Sequence, residues 1–156
     1  MENSVEAIMS RNLETIDAAA SSLEAARKMR DKKISSLLVV NKKNKDEMPL
    51  GIVTERDLVC RICAQGSSGK DVYIRDIMSS PIATIDPQTT VEGAADIMLS
   101  NKVRHLLVVD RNAKATPVGI VAPTDLNKYL QANIDMDEVQ ARILKAVQYS
   151  EEIGWA

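Results

Sequence analysis

Phenylalanine is absent from this chain of 156 residues, and aromatic residues make up only 3% of it. Proteins that grip single-stranded nucleic acid stack its bases on aromatic side chains, so that mode of recognition has no platform here. A purine held by this protein must lie between aliphatic side chains. An excess of either charge is also missing: 20 Lys and Arg stand against 22 Asp and Glu, for a formal net charge of −2. That balance offers no general attraction to nucleic acid or to an anionic membrane. No apolar run is long enough to span a bilayer, and Met1-Glu2-Asn3-Ser4 lacks the basic-then-apolar pattern of a leader, so a cytoplasmic protein is expected.

Reactive side chains are scarce too. His105 is the single histidine, and the two cysteines, Cys60 and Cys63, form one C-x-x-C with no second copy. Such a pair can be a redox couple or half of a metal site. Inside a helix and without further ligands, it reads better as two small buried or half-buried residues on one helical face. No nucleophile with an adjacent base is visible, so no catalytic residue and no metal site are expected.

What the chain does have is an internal duplication. Ile8-Met9-Ser10 returns as Ile77-Met78-Ser79, an offset of 69 that also carries Thr15-Ile16-Asp17 onto Thr84-Ile85-Asp86 and Leu37-Leu38-Val39-Val40 onto Leu106-Leu107-Val108-Val109. After one deletion the offset becomes 68, and Pro49 and Gly51 map onto Pro117 and Gly119. In each copy a short extended segment, around Thr15-Ile16 or Ala83-Ile85, leads to a helix. Capping boxes are expected at Ser21 with Glu24 and at Thr89 with Glu92. The apolar stripe of that helix is read as Leu23, Ala26, Met29 and Arg30 in the first copy and Val91, Ala94, Ala95 and Met98 in the second. A buried strand follows (37–40 or 106–109), then a polar hairpin tip, a third strand (50–53 or 118–121) and a second helix. The order is β-α-β-β-α, twice.

The expected divisions are 1–66, 70–131 and a helical tail over 132–156, with Gly66-Ser67-Ser68-Gly69 as a flexible join. Each half is small for a self-sufficient core, so the halves should pack together through their sheets. In the tail, Asp135 with Glu138 looks like a capped start, and Val139, Ile143, Leu144 and Val147 form a stripe. Trp155 stands near its end.

The duplicated stretch that carries chemistry is Gly51-Ile52-Val53-Thr54-Glu55-Arg56-Asp57-Leu58, echoed by Gly119-Ile120-Val121-Ala122-Pro123-Thr124-Asp125-Leu126. A strand running into a helix N-terminus offers backbone N–H groups to a phosphate, and a nearby carboxylate can accept from both hydroxyls of a ribose. Thr54 and Asp57 also stand at capping-box spacing, a role that needs no ligand. The duplication is what favours the nucleotide reading.

These features together resemble a tandem pair of CBS domains, the regulatory modules named after cystathionine β-synthase. The resemblance rests on the doubled β-α-β-β-α order, the two Ile-Met-Ser segments, Lys102-Val103-Arg104-His105-Leu106-Leu107-Val108-Val109-Asp110, and the stretch from Gly51. It implies an α+β fold of two CBS repeats packed sheet to sheet with pseudo-two-fold symmetry, plus the C-terminal helix. It also implies a non-catalytic sensor that needs no cofactor and binds AMP, ADP or ATP between the repeats, with S-adenosylmethionine as an alternative.

Residue by residue, the resemblance makes Asp57 the ribose acceptor and Thr54 a phosphate ligand, joined by Arg56, Arg104 and His105. The second cleft is expected to be weaker: Ala122 replaces the threonine, Pro123 removes a donor, and Ser35 and Ser36 stand opposite Thr124 and Asp125. A homodimer of CBS pairs and an unidentified regulated protein are the implied partners. A structural adaptor that binds no nucleotide and a redox switch at Cys60 and Cys63 are the competing readings.

Overall fold

A computed structural model describes residues 3–44, 48–133, 141–143 and 145–146. The chain forms two compact units, one of residues 13–82 and one that joins residues 1–12 to 83–156. Each carries one three-stranded sheet. The repeats as they run along the chain therefore exchange their lead-in segments: the Ile8-Met9-Ser10 segment belongs with the second repeat and Ile77-Met78-Ser79 with the first.

In the unit of residues 13–82, β1 (Thr15–Asp17) lies parallel to β2 (Ser36–Val40), and β3 (Gly51–Thr54) pairs antiparallel with β2. The parallel pair requires a crossover, supplied by the helix α2 (Ser22–Lys32). Leu37, Leu38 and Val39, on the middle strand, are all buried. The core gathers Ile16, Ala25, Met29, Leu37, Val39, Val53, Ile62, Ile74 and Ile77. Ile74 and Ile77 come from a short helix, α4 (Ile74–Ile77), just before Ser79. Ser79 then bridges Ile52 through two backbone hydrogen bonds of 3.0 and 2.9 Å, and so extends the sheet beyond β3.

The other unit repeats this plan. Its strands are β4 (Thr84–Ile85), β5 (Leu106–Asp110) and β6 (Thr116–Val121), in that order across the sheet. The lead-in helix α1 (Val5–Ile8) is followed by Ser10, which bridges Ile120 through two bonds of 2.9 Å. The crossover helix is α5 (Val91–Asn101), and α6 (Pro123–Asn133) follows β6. Val5, Met9, Ile85, Ala94, Met98, Leu106, Val108 and Val121 form its core.

The helix starts confirm one expectation and correct another. Ser21 forms the full capping box: its hydroxyl accepts from the Glu24 amide at 3.1 Å, and the Glu24 carboxylate accepts from the Ser21 amide at 2.8 Å. The box expected at Thr89 and Glu92 does not form. Thr90 caps α5 instead, accepting from the Gly93 amide at 3.0 Å. The offset of 69 carries Ser21 onto Thr90 and Glu24 onto Gly93, which has no side chain to reach back, so only half the box survives.

The stripe of α2 is also shifted. Its buried residues are Ser22, Ala25 and Met29, while Ala26 and Arg30 are exposed; the same offset carries the buried set onto Val91, Ala94 and Met98. Ser22 is tolerated inside because its hydroxyl donates to the Val72 carbonyl at 2.9 Å.

The join at 66–69 is not a slack linker. The Ser67 amide donates to the Ile62 carbonyl, and the Gly69 carbonyl accepts from the Leu23 amide, one of the orphan donors at the start of α2. Both helices of this type end at a left-handed lysine, Lys33 (φ 55) and Lys102 (φ 54). In the tail, residues 141–143 and 145–146 are helical. Asp135, Glu138, Val139, Leu144, Val147 and Trp155 lie outside the described residues. Among the described residues no helix is long and apolar enough to cross a membrane.

Candidate functional site

β3 ends at Thr54, whose extended backbone hands the chain to the helix α3 (Glu55–Leu58). Here the capping box is closed in both directions. The Thr54 amide donates to Asp57 Oδ2 at 2.9 Å, the Thr54 hydroxyl donates to the same oxygen at 3.1 Å, and the hydroxyl also accepts from the Asp57 amide at 3.4 Å. Asp57 is 8% exposed, the most deeply buried carboxylate among the described residues. Its other oxygen, Oδ1, faces Arg61 Nε at 3.7 Å, an ion pair too long for a hydrogen bond. Lone pairs on Oδ1 are thus left without a close donor among the described residues, in a setting where an unmet acceptor is unfavourable.

Arg61 is the residue that sequence reasoning missed. Its Nη1 donates to the carbonyls of Ile77 at 2.6 Å and Met78 at 3.3 Å, so one guanidinium ties the Asp57 helix to the lead-in segment. The spacing of Asp57 and Arg61, four residues apart on a helix, was the available signal.

After Leu58 the helix widens into a π-helical segment, Val59–Cys63, with the Ala64 amide bonded to the Val59 carbonyl five residues back at 2.9 Å. This winding buries Asp57 and Ile62, five apart, and it corrects the expectation for the cysteines: Cys60 and Cys63 are free and both exposed. A period of 3.6 residues does not describe this stretch.

The echo at Asp125 is built differently. Its Oδ2 accepts from the Ala122 amide at 2.8 Å, but Ala122 has no hydroxyl to return a bond. Asp125 is half-buried, and burial pushes its carboxyl above the ordinary aspartate range, opposed by the Ala122 amide and the nearby Lys128. Thr124 beside it is half-buried.

Of the remaining expected site residues, Ser35 supplies a backbone carbonyl that accepts from the Glu55 amide at 3.0 Å, and Ser36 sits opposite Thr54 across β2 and β3. The structure therefore brings Ser35, Ser36, Thr54 and Asp57 to one end of the sheet of residues 13–82. Arg56 is exposed on α3. Arg104 is exposed and His105 half-buried just before β5, within the other unit.

A shallow cavity of about 430 Å³ lies elsewhere in the unit of residues 13–82, lined in part by Asp17, Arg27, Lys28 and Lys32. Lys28 and Lys32 both pair with Glu14, at 3.4 and 3.7 Å, and the carboxylates of Asp17, Glu24 and Asp31 share the lining with the cations, so the cavity has no single charge sign. Among the described residues no group of three or more His, Cys, Asp or Glu could hold a metal ion.

A family model described as the CBS domain matches residues 5–63 and again 74–132. An uncharacterized protein of Methanopyrus kandleri is 37% identical over 135 residues, which are 85% of this chain and 66% of that protein. A CBS domain-containing protein of Bacillus subtilis, YhcV, is 30% identical and is matched over 83% of its length and 80% of this chain. This chain spans only 60% of a relative from Acidianus ambivalens and 42% of a mitochondrial CBS domain-containing protein of Arabidopsis thaliana.

Among solved structures, a hexameric CBS-CP12 protein from bloom-forming cyanobacteria is 27% identical with a TM-score of 0.72, over 96% of this chain and 85% of that one. A CBS-domain containing protein from Agrobacterium tumefaciens is 26% identical with a TM-score of 0.71, over 83% of this chain and 94% of that one. With both halves matched by one family and the same β-α-β-β-α plan built twice, the chain belongs to the CBS domain family as a tandem pair.

Proposed function

We propose that this CBS pair is a non-catalytic regulatory module that holds an adenine nucleotide and relays its occupancy to a partner protein. The observation that carries the reading is the Asp57 carboxylate. It is buried, one oxygen is fixed by the Thr54 amide and hydroxyl, and the other is left with only a distant guanidinium. A fixed, acceptor-only group with spare lone pairs suits a pair of vicinal ribose hydroxyls. Thr54, Arg56, Arg104 and His105 are the residues proposed to meet the phosphates, with Arg104 contributing the forked, charge-assisted contact. Self-association belongs to the same proposal, as the hexameric cyanobacterial relative associates.

Calorimetry with AMP, ADP, ATP and S-adenosylmethionine tests it. Binding by an adenine nucleotide that Asp57→Ala weakens by about tenfold or more, and Asp125→Ala leaves nearly unchanged, is the expected outcome. For Arg104→Ala the loss should be larger with AMP than with adenosine. Equal losses would remove Arg104 from the phosphate, and reversed aspartate effects would move the site to Asp125.

One observation favours a second reading, a structural adaptor. The Thr54 and Asp57 box satisfies the start of α3 without any ligand. Absence of binding by all four compounds at millimolar concentration would select the adaptor.

A further inference from the structure

The two cysteines lie on the helix that carries Asp57, on either side of Arg61, and both are open to solvent. Side chains three apart on a regular helix have Cβ atoms about 5–6 Å apart, and the wider π-helical winding of Val59–Cys63 brings them no closer. A disulfide needs them at about 3.8 Å. Closing this pair is therefore feasible only by tightening the turn that contains it. The turn is already irregular: its bonds run five residues back from Ala64 and from Ser67 but three residues back from Gly66. Mid-helix departures of this kind frequently mark hinges or functional sites. Arg61, inside that turn, is the tether to the Ile77 and Met78 carbonyls and the partner of Asp57.

We propose that Cys60 and Cys63 form a reversible thiol–disulfide exchange site, and that its oxidation withdraws Arg61 from the lead-in segment and from Asp57. The co-reactant is a disulfide, either a small molecule or a dithiol–disulfide protein. The thiolate of one cysteine attacks a sulfur of that disulfide, forming a mixed disulfide and releasing one thiolate. The thiolate of the second cysteine attacks the first cysteine's sulfur and releases the other. The chain loses two electrons and two protons, and the co-reactant gains them as two thiols. A bridge that strains its turn is readily reduced again, which suits a switch better than a permanent staple. The inference does not depend on nucleotide binding.

Its test uses the full chain incubated with glutathione disulfide, followed by intact-mass measurement, peptide mapping and amide hydrogen exchange. The expected product is a single chain lighter by two hydrogens, with Cys60 joined to Cys63 and restored by dithiothreitol. Cys60→Ser should instead hold glutathione on Cys63. The exchange of the Ser79 and Ile52 amides, which bond each other's carbonyls across the lead-in bridge, should quicken about tenfold on oxidation, while Leu107 in the other unit should not change. In Arg61→Ala those two amides should already exchange fast in the reduced protein. Stable glutathione adducts on both cysteines of the unsubstituted chain, or disulfides between chains, would overturn the exchange site. An intramolecular bridge that leaves Ser79 and Ile52 unchanged would overturn the link through Arg61.

Discussion

The two copies of the strand-to-helix stretch, from Gly51 and from Gly119, keep nearly the same backbone plan and differ in how the helix start is closed. At Thr54 three hydrogen bonds and a long ion pair hold the aspartate; at Ala122 a single amide does. One hydroxyl accounts for most of this. The threonine both donates to the carboxylate and accepts from its amide, so its loss leaves the second aspartate attached by one bond and still partly removed from water. Duplication can thus preserve a fold while the two sites drift apart in how strongly their acids are committed.

The largest expected contrast lies at the first residue of each stretch. A Cβ on Gly51 would overlap the backbone carbonyl oxygen of Ser79, whereas one on Gly119 would overlap the side chain of Met9. The Ser79 carbonyl cannot step aside without losing the hydrogen bond it accepts from the Ile52 amide. A methionine can change rotamer. Gly51→Ala is therefore expected to destabilise by about 3 kcal/mol and Gly119→Ala by about 1 kcal/mol, as read from urea unfolding midpoints. Equal losses would mean that the two lead-in bridges are equally rigid.

Next in size is the cap itself. Asp57→Ala removes the acceptor for the Thr54 amide and hydroxyl and leaves Arg61 without its carboxylate, an expected loss of about 1–2 kcal/mol. Asp125→Ala removes one hydrogen bond but also a poorly solvated charge, so its loss should be about 0.5 kcal/mol or less. Thermal unfolding of both variants in the absence of nucleotide separates this structural role from ligand binding. If Asp125→Ala were the more damaging, the commitment of the two acids would be the reverse of what their bonds indicate.

Much of this contrast is legible in the sequence. The apolar runs Leu37–Val40 and Leu106–Val109 announce the central strands, and Ala122 in place of threonine marks the second copy as different, though it reads there as a weaker ligand cleft and not as a weaker cap. Local spacing also misled. Thr89 and Glu92 have the letters of a capping box, yet the helix begins one residue later, after Thr90, which is extended and bridges Ser4. The buried face of α2 includes Ser22, whose partner carbonyl at Val72 is fifty residues away and invisible to periodicity.

Nor could sequence show that each lead-in segment joins the other repeat's sheet, since backbone pairing between distant residues leaves no side-chain signature. Cys60 and Cys63 were misplaced for a different reason: a wider winding changes which residues share a face, and no residue type marks it.

The smallest expected effect takes its sign from the burial of Asp125. Burial raises the Asp125 carboxyl above its value in the unfolded chain, so the folded state binds that proton more tightly. Stability contributed by this group is complete below the unfolded value and is lost as pH climbs through the folded one. At neutral pH the wild-type protein therefore carries the full penalty of a partly desolvated charge. Asp125→Asn keeps an oxygen for the Ala122 amide and removes the ionisation. Its stability relative to wild type should rise as pH is taken from about 3 to about 7 and then level off, with a small net gain at the top. Urea unfolding across that range checks it. A difference that is flat with pH would show that the carboxyl is not raised, and one that falls would show that the charge at Asp125 has a favourable partner, which would make the second helix start the more strongly held of the two.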